Sequence, residues 1–313
     1  MSGRVTVVGA GVVGLCCALE LVRHGREVRV IAADAAAGAS AVAASLWAPA
    51  DVEQSDRVRR WAYETLARLR RDAGPASGVR EQLCRTIGLL PGDGDPWMRG
   101  FVPPFAEVPP AELPDGYAAG VLSVVPLVDT TRFLPWLAAQ AHRAGVRLER
   151  RRIDDLAAID GADVVVNATG QGSAALVGDD LVRPGRGQTV RLENPGIVRT
   201  TIVRDGPLAP LFVVPRFDDV VVGGPTQEGS WDTAPDPALE AELLRRAVLV
   251  EPSLLGARIV QRAVGLRPLR PEVRLEAETI GARTVVHCYG HGGAGVALCW
   301  GTAREAAVLA VSA

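Results

Sequence analysis

Lysine is absent from this chain of 313 residues; all 34 of its Lys+Arg positions are arginine. The bias reads as a GC-rich coding habit, yet it removes every mechanism that needs an ε-amino group: a P-loop lysine, a pyridoxal Schiff base, a lysine general base. A formal charge of only -2 leaves any basic patch local, so neither nucleic acid nor an acidic membrane surface is expected as a partner. No apolar run approaches the ~18 residues of a membrane helix. The five cysteines, at 16, 17, 84, 288 and 299, are odd in number and lack metal-ligand spacing. No metal is expected, and Cys16 and Cys17 read as small core residues. The opening "MSGRVTVVGAG" enters a strand with no leader-like segment, and "AVSA" is no peroxisomal address, so a reducing cytoplasm is the expected setting. Internal repeats and low-complexity segments are also lacking.

What is present is a large apolar fraction, 48%, enough for one large domain or two interleaved ones. "RVTVV" at 4 to 8 reads as a strand, "VVGLCCALELVRHG" as a helix closed by Gly25, and "REVRVIA" as a second strand ending at Ala33 and Asp34. That is a β-α-β unit. An Arg/Glu-studded amphipathic helix is predicted from Val52 to Asp72, a proline-rich loop over 90 to 116, and a helix starting near Asp129. "RLERRRI" and "ADVVVNATG" read as further strands of the first sheet. Between Gly185 and Gly224 the pattern changes to short alternating strands, which predicts an antiparallel sheet. A helix "PALEAELLRRAVLV", the stretch "GLRPLRP", a strand "TVVHCYG" and a closing helix from about Val296 to Ala310 follow. The fold class is therefore α/β: a Rossmann-like parallel-sheet domain interleaved with a mixed or antiparallel-sheet domain.

"GAGVVG" places Gly9, Gly11 and Gly14 in G-x-G-x-x-G spacing between a strand and a helix, with Val12 and Val13 between the last two. The first glycine permits the turn, the second admits a pyrophosphate to the backbone, and the third lets helix and strand pack closely. Asp34, or Ala33 beside it, stands where an acid meets ribose hydroxyls. A second glycine-rich turn, "YGHGGAGVALCWG", precedes the last helix and supplies Gly290, Gly292, Gly293 and Gly295. A nicotinamide domain does not need such a turn. A flavin does, because a helix N-terminus there stabilises the negative charge of its reduced ring. In "GLRPLRP" the arginines at 267 and 270 have opposite parity on an extended chain, so at most one faces a given cavity; the other reads as structural. A planar carboxylate is the best partner for a guanidinium in an apolar site.

"VVGAGVVGL", "VAASLWAP" at 42 to 49, "VVVNATG" at 164 to 170, "RPGRGQ" at 183 to 188, "VVPR" with "VVVGGPTQEGSW", "GLRPLRPEVRLE" and "VVHCYGHGGAGVALCWG" occur in that order and span nearly the whole chain. Together they resemble the D-amino acid oxidases, FAD enzymes of a glutathione-reductase-like two-domain type. The resemblance implies an FAD-binding domain from residues 1-50, 125-180 and 260-313, and a substrate-binding domain from 51-124 and 181-259. It implies that Arg267 holds the substrate carboxylate and that the Gly293 carbonyl receives the amine. Ser45 and Leu46, Ile153, Thr169 with Gly170, and the run His291, Gly292, Gly293, Ala294, Gly295, Val296 and Ala297 match segments lining FAD. The cofactor is expected to be held non-covalently. A cysteine-linked flavin, through Cys288 or Cys299, belongs to the alternative of a glycine/sarcosine-type amine oxidase.

The implied reaction is oxidation of a neutral D-amino acid to an imino acid, with O2 reduced to peroxide. The enzyme then needs clamps more than an acid/base pair, and His287 and His291 read as structural. Two departures stand out. The family usually carries tyrosines at and upstream of the strand matched by "FVVPR", where this chain has Phe212 and, at the nearest upstream place, Leu208. Losing one hydroxyl donor to a carboxylate costs about 1.5 to 3 kcal/mol. Ala48, Ala50 and Ala294 also replace larger residues, so with Leu46 and Val214 the pocket is expected to favour a bulky or apolar substrate. An acidic substrate would need a second cation, for which Arg204 and Arg216 are the candidates. A non-catalytic FAD-fold binding protein is the alternative of another class. Self-association as a homodimer is left open.

Overall fold

The computed structural model describes residues 3–34, 38–44, 46–49, 52–88 and 106–313. Strand β1 (Arg4–Val8), helix α1 (Val12–Arg23) and strand β2 (Glu27–Ala32) form the opening unit. Helices α2 (Ala39–Val42) and α3 (Asp56–Arg71) and strands β3 (Val79–Ile87), β4 (Ala106–Glu107) and β5 (Gly120–Val128) follow. Then come α4 (Thr130–Arg143), β6 (Arg147–Arg150), β7 (Val164–Asn167), α5 (Ser173–Leu176), β8 (Arg183–Leu192), β9 (Thr200–Val203), β10 (Leu211–Pro215) and β11 (Val220–Glu228). Helix α6 (Pro237–Val250), strands β12 (Ile259–Leu269), β13 (Arg274–Ile280) and β14 (Arg283–Tyr289) and helix α7 (Gly295–Ser312) complete the order.

The strands make two sheets, ordered β13-β14-β7-β1-β2-β6 and β12-β8-β11-β10-β9-β3-β5-β4. The first is parallel apart from β13, which runs antiparallel to β14. Both its faces are buried, as its β-branched strands require. Val5, Val7, Val28, Val30, Val164 and Val166 pack with α1, α3 and α7, while Val8, Ile31 and Val165 pack with Leu156 and Ile159 on the other side. The second sheet is antiparallel except for the β3–β9 pair. Its back face, with Val190, Val213 and Val222, joins Leu243 and Ala247 of α6 in a separate core.

Two of the expected domain boundaries differ from this layout. Strand β5 continues in the second sheet to Val128, and β12 pairs along β8 through Leu269, so the chain re-enters the first sheet only at Arg274. Helix α3, expected with the second unit, packs on α7 because its Val58, Trp61, Leu66 and Leu69 stripe matches the small-residue face of that helix. A Cβ on Gly301 would stand 2.3 Å from the Trp61 Cα and 2.4 Å from its carbonyl oxygen. The Gly301 N–H donates to Thr65 Oγ1 at 3.0 Å, and Trp61 Nε1 donates to Glu305 at 2.7 Å. Backbone atoms cannot swing aside as a side-chain tip can, so Gly301→Ala is expected to cost about 3 kcal/mol or more. Thermal unfolding checks this, and an unchanged Tm would mean that the two helices can separate freely.

Candidate functional site

Strands β1 and β7 end level with one another beside β14, which runs two residues further: Val8 pairs with Asn167, and Asn167 with His287. At that edge Gly9 takes φ 112° and donates to the Ile31 carbonyl at 2.8 Å. A Cβ on Gly9 would lie 2.3 Å from the Ala168 oxygen, and one on Gly14 would lie 2.0 Å from the Gly9 oxygen. The first and third glycines of the fingerprint therefore serve the turn and the packing. Gly11, by contrast, is open: a Cβ there would meet only Ser40 Oγ, at 3.4 Å. Val12 and Val13 turn their side chains into or against the core, leaving backbone N–H groups at the α1 N-terminus. Ser40 reaches the Val12 N–H at 3.4 Å; sequence reading missed it because four-residue α2 shows no periodicity. Ala33 and Asp34 lie exposed at the end of β2.

The second turn closes on the same edge. Gly292, at φ 52°, donates its N–H to the Pro268 carbonyl at 2.9 Å, and Ala294 N–H donates to the His291 carbonyl at 2.9 Å. Gly293 is exposed, and beyond Gly295 a Cβ would meet nothing within 4 Å outside its own helix. Ala294, Val296 and Ala297 bury their side chains in the first core, so this turn offers backbone alone. Two long helices thus point open N-termini at one edge of the sheet, an arrangement that fits the phosphate and ring anion of a flavin dinucleotide.

Between the turns, Thr169 donates to Asn167 Oδ1 at 2.7 Å, and Asn167 Nδ2 lies 3.3 Å from His287 Nδ1. A Cβ on Gly170 would stand 3.9 Å from Pro268 Cγ. Asn167 escaped sequence reading, although a buried asparagine closing an apolar strand is a recognisable signal. Both histidines have side-chain partners: His287 Nε2 meets Glu278 at 2.8 Å, and His291 Nε2 meets Thr302 Oγ1 at 3.2 Å. His291 thus turns its ring into α7 and away from the expected cofactor face. Ile153 packs behind the first sheet, and Leu46 bridges to Leu127 at the end of β5. Ala48 is half-buried two residues on, whereas Ser45 and Ala50 lie outside the described residues. Cys288 and Cys299 are buried, so a covalent link through either would first have to bring a thiol out of the core.

Arg267 pairs with Gly185, and Gly265 with Gly187, which puts all four on the front face of the second sheet. The guanidinium lies over Gly187: a Cβ there would stand 2.0 Å from Arg267 Nη1 and 2.8 Å from Cζ. Phe212 shares that face, its ring over Gly223 of adjacent β11, where a Cβ would stand 2.1 Å from Phe212 Cζ. Val214 follows on the same face, fully buried. Arg270 leaves in the other direction and donates to Asp179 at 3.1 Å and the Glu272 carbonyl at 2.8 Å.

Two expected pocket residues do not line this face. Leu208 packs in the core behind the sheet with its N–H on Tyr117 Oη at 2.9 Å, because the β10 register sends its neighbours Leu211 and Val213 backward. Ala294 is buried beneath its turn. Tyrosine does not replace the missing phenols: Tyr117 is behind the sheet, Tyr289 donates to Asp179, and Tyr63 is exposed on α3. Of the two candidate cations, Arg216 is locked by Asp219 at 2.7 Å and Asp129 at 3.5 Å, and Arg204 is exposed.

The family model described as "DAO: FAD dependent oxidoreductase" matches residues 4–309. The chain is 42% identical to the D-amino-acid oxidase of Rubrobacter xylanophilus, covering 99% of this chain and 96% of that protein. It is 34% identical to the D-aspartate oxidase of Homo sapiens, over 98% and 94% of the two. Among solved structures it is similar in fold to glycine oxidase from Geobacillus kaustophilus, with TM-score 0.79, 23% identity, and coverage of 99% and 95%.

Burial holds the His287 imidazole below its ordinary range, against the opposing pull of Glu278. Between that lowered value and about 6.5 the unfolded chain binds more protons than the folded one, so this group's contribution fades as pH falls below about 6.5. His287→Gln is therefore expected to flatten the dependence of Tm on pH between about 7.5 and 5.5. Equal slopes for the two proteins would show that another group governs this window.

Proposed function

The chain belongs to the DAO family of FAD-dependent oxidoreductases, and we propose that it oxidises a neutral D-amino acid with an apolar side chain. The products are an imino acid, which water converts to a 2-oxo acid, and hydrogen peroxide from O2. In this reading the first sheet carries the FAD and the front face of the second carries the substrate. When bound, FAD supplies the two-electron acceptor and passes the electrons to O2. The observation that carries the reading is the Arg267 guanidinium, held on the sheet face beside the Gly292–Gly293 turn through the Gly292–Pro268 hydrogen bond.

The residues divide the work between binding and orientation. Arg267 forms two parallel charge-assisted bonds to the substrate carboxylate, and the Gly293 carbonyl accepts from the amine. With both ends of the backbone held, one face of Cα is presented and the side chain is directed along the sheet. Phe212 supplies an apolar wall there, which supports an apolar side chain over a carboxylate. The locked state of Arg216 argues in the same direction against D-aspartate or D-glutamate. All five cysteines are free and buried, which supports a reducing, cytoplasmic setting. Among the described residues no helix is long and apolar enough to cross a membrane.

A peroxide assay over both enantiomers of the common amino acids tests the class directly; turnover confined to L-isomers or to acidic side chains would overturn it. On the best substrate, Arg267→Leu is expected to lower kcat/KM by about two orders of magnitude, mainly through KM. Phe212→Tyr adds a phenol at the Gly223 seat and is expected to lower KM several-fold. An unchanged KM there would mean that the strand-start residue does not reach the carboxylate.

A further inference from the structure

The stretch "RPGRGQ" places two glycines in the interior of β8, an unfavourable choice for a strand. Neither Gly185 nor Gly187 has a positive φ, so the backbone would accept other residues. The requirement lies in the space above them. On the rear face of β8, Arg186 and Gln188 are fully engaged: Arg186 donates to the Asp232 and Ala234 carbonyls, and Gln188 Oε1 accepts from the Asp236 N–H. On the front face a Cβ at Gly185 would meet the Leu269 and Thr226 side chains, at 2.8 and 2.9 Å. A Cβ at Gly187 would meet the guanidinium of Arg267 alone among its three nearest atoms, at 2.0, 2.8 and 3.0 Å.

We propose that Gly187 is a positioning residue for Arg267: its missing side chain is the seat that lets the guanidinium lie across β8, toward β11 and the Phe212 ring. The proposal rests on the reading of Arg267 as carboxylate clamp and adds what sets the direction of its fork. The clash at Gly187 is with the far end of a flexible side chain, unlike those at Gly9, Gly14 and Gly301, where backbone atoms stand in the way. An alanine at 187 is thus absorbed by displacement of the guanidinium, with the strand left in place. The two parallel bonds to a carboxylate tolerate little displacement, since both N–H groups must lie near the carboxylate plane.

The test uses the FAD-loaded enzyme and four variants: Gly187→Ala, Gly185→Ala, Arg267→Leu, and the double variant Gly187→Ala with Arg267→Leu. Calorimetric titration with benzoate, a planar carboxylate, gives a Kd independent of turnover. Gly187→Ala is expected to raise this Kd and the substrate KM on the order of tenfold or more, with kcat, FAD affinity and Tm changed far less. Gly185→Ala, next along the same face, is expected to stay within about twofold. The double variant should match Arg267→Leu, because a residue that acts only through Arg267 has no further effect once Arg267 is gone. An unchanged Kd in Gly187→Ala, or an undiminished penalty in the double variant, overturns the proposal while leaving the clamp in place. If Arg267→Leu itself binds benzoate normally, the clamp reading fails and the seat with it. Should Gly187→Ala not fold, a folded double variant would still identify the guanidinium as the obstacle, and failure of both would overturn the idea.

Discussion

The site depends on the close approach of two pieces of backbone at the edge of the first sheet. Gly9 turns against the Ala168 carbonyl, and Gly14 lets α1 press onto Gly9 itself. A side chain at either glycine would drive strand and helix apart, and the N-terminus of α1 would no longer face the end of β7. From this junction the remaining elements follow in contact: Thr169 and Gly170 continue from Ala168, Gly170 meets Pro268, and Pro268 accepts from Gly292. The second glycine turn and Arg267 are thereby held to the same edge, although they are more than 250 residues from Gly9 in the chain.

Arginine carries the permanent cationic work throughout, and its planar fork explains how so many charges are buried. Arg85 is held by Glu251 at 2.9 Å, Thr201 at 3.1 Å and two backbone carbonyls. Arg68 stacks 3.9 Å over Trp300 while bonding Asp72 at 2.7 Å. A lysine could reproduce neither the multiple directed bonds nor the planar stacking. The Arg267 guanidinium on the glycine face of β8 uses the same planar group on the front of the second sheet.

The front face of the second sheet combines small and large residues in register. Gly187 and Gly223 stand on adjacent strands, one beneath a guanidinium and the other beneath an aromatic ring. The space above the sheet is thus shaped from below, by the absence of side chains, as much as by the groups that project into it. The ring at Phe212 makes the surface beside Arg267 apolar on this face.

Local pattern revealed most of the first sheet, because β-branched runs and glycine spacing report on contacts between neighbours in sequence. The β-α-β start, the strand "VVVNATG", the closing helix and the separation of Arg267 from Arg270 were all legible at that level. Strand β3 was not, since "VREQLCRTI" alternates weakly, and neither was the membership of β12 in the second sheet, which depends on its pairing with β8. Alignment with family motifs identified Leu208 and Ala294 as pocket residues, but register decided otherwise, because a strand's alternation fixes which face each residue takes and a turn can bury its own side chains. Sequence by itself determined the cofactor fold and singled out Arg267 from Arg270 as the arginine to examine. Only the tertiary structure decided where the Arg267 guanidinium lies, because the space over Gly187 exists only once β8, β11 and β12 lie side by side.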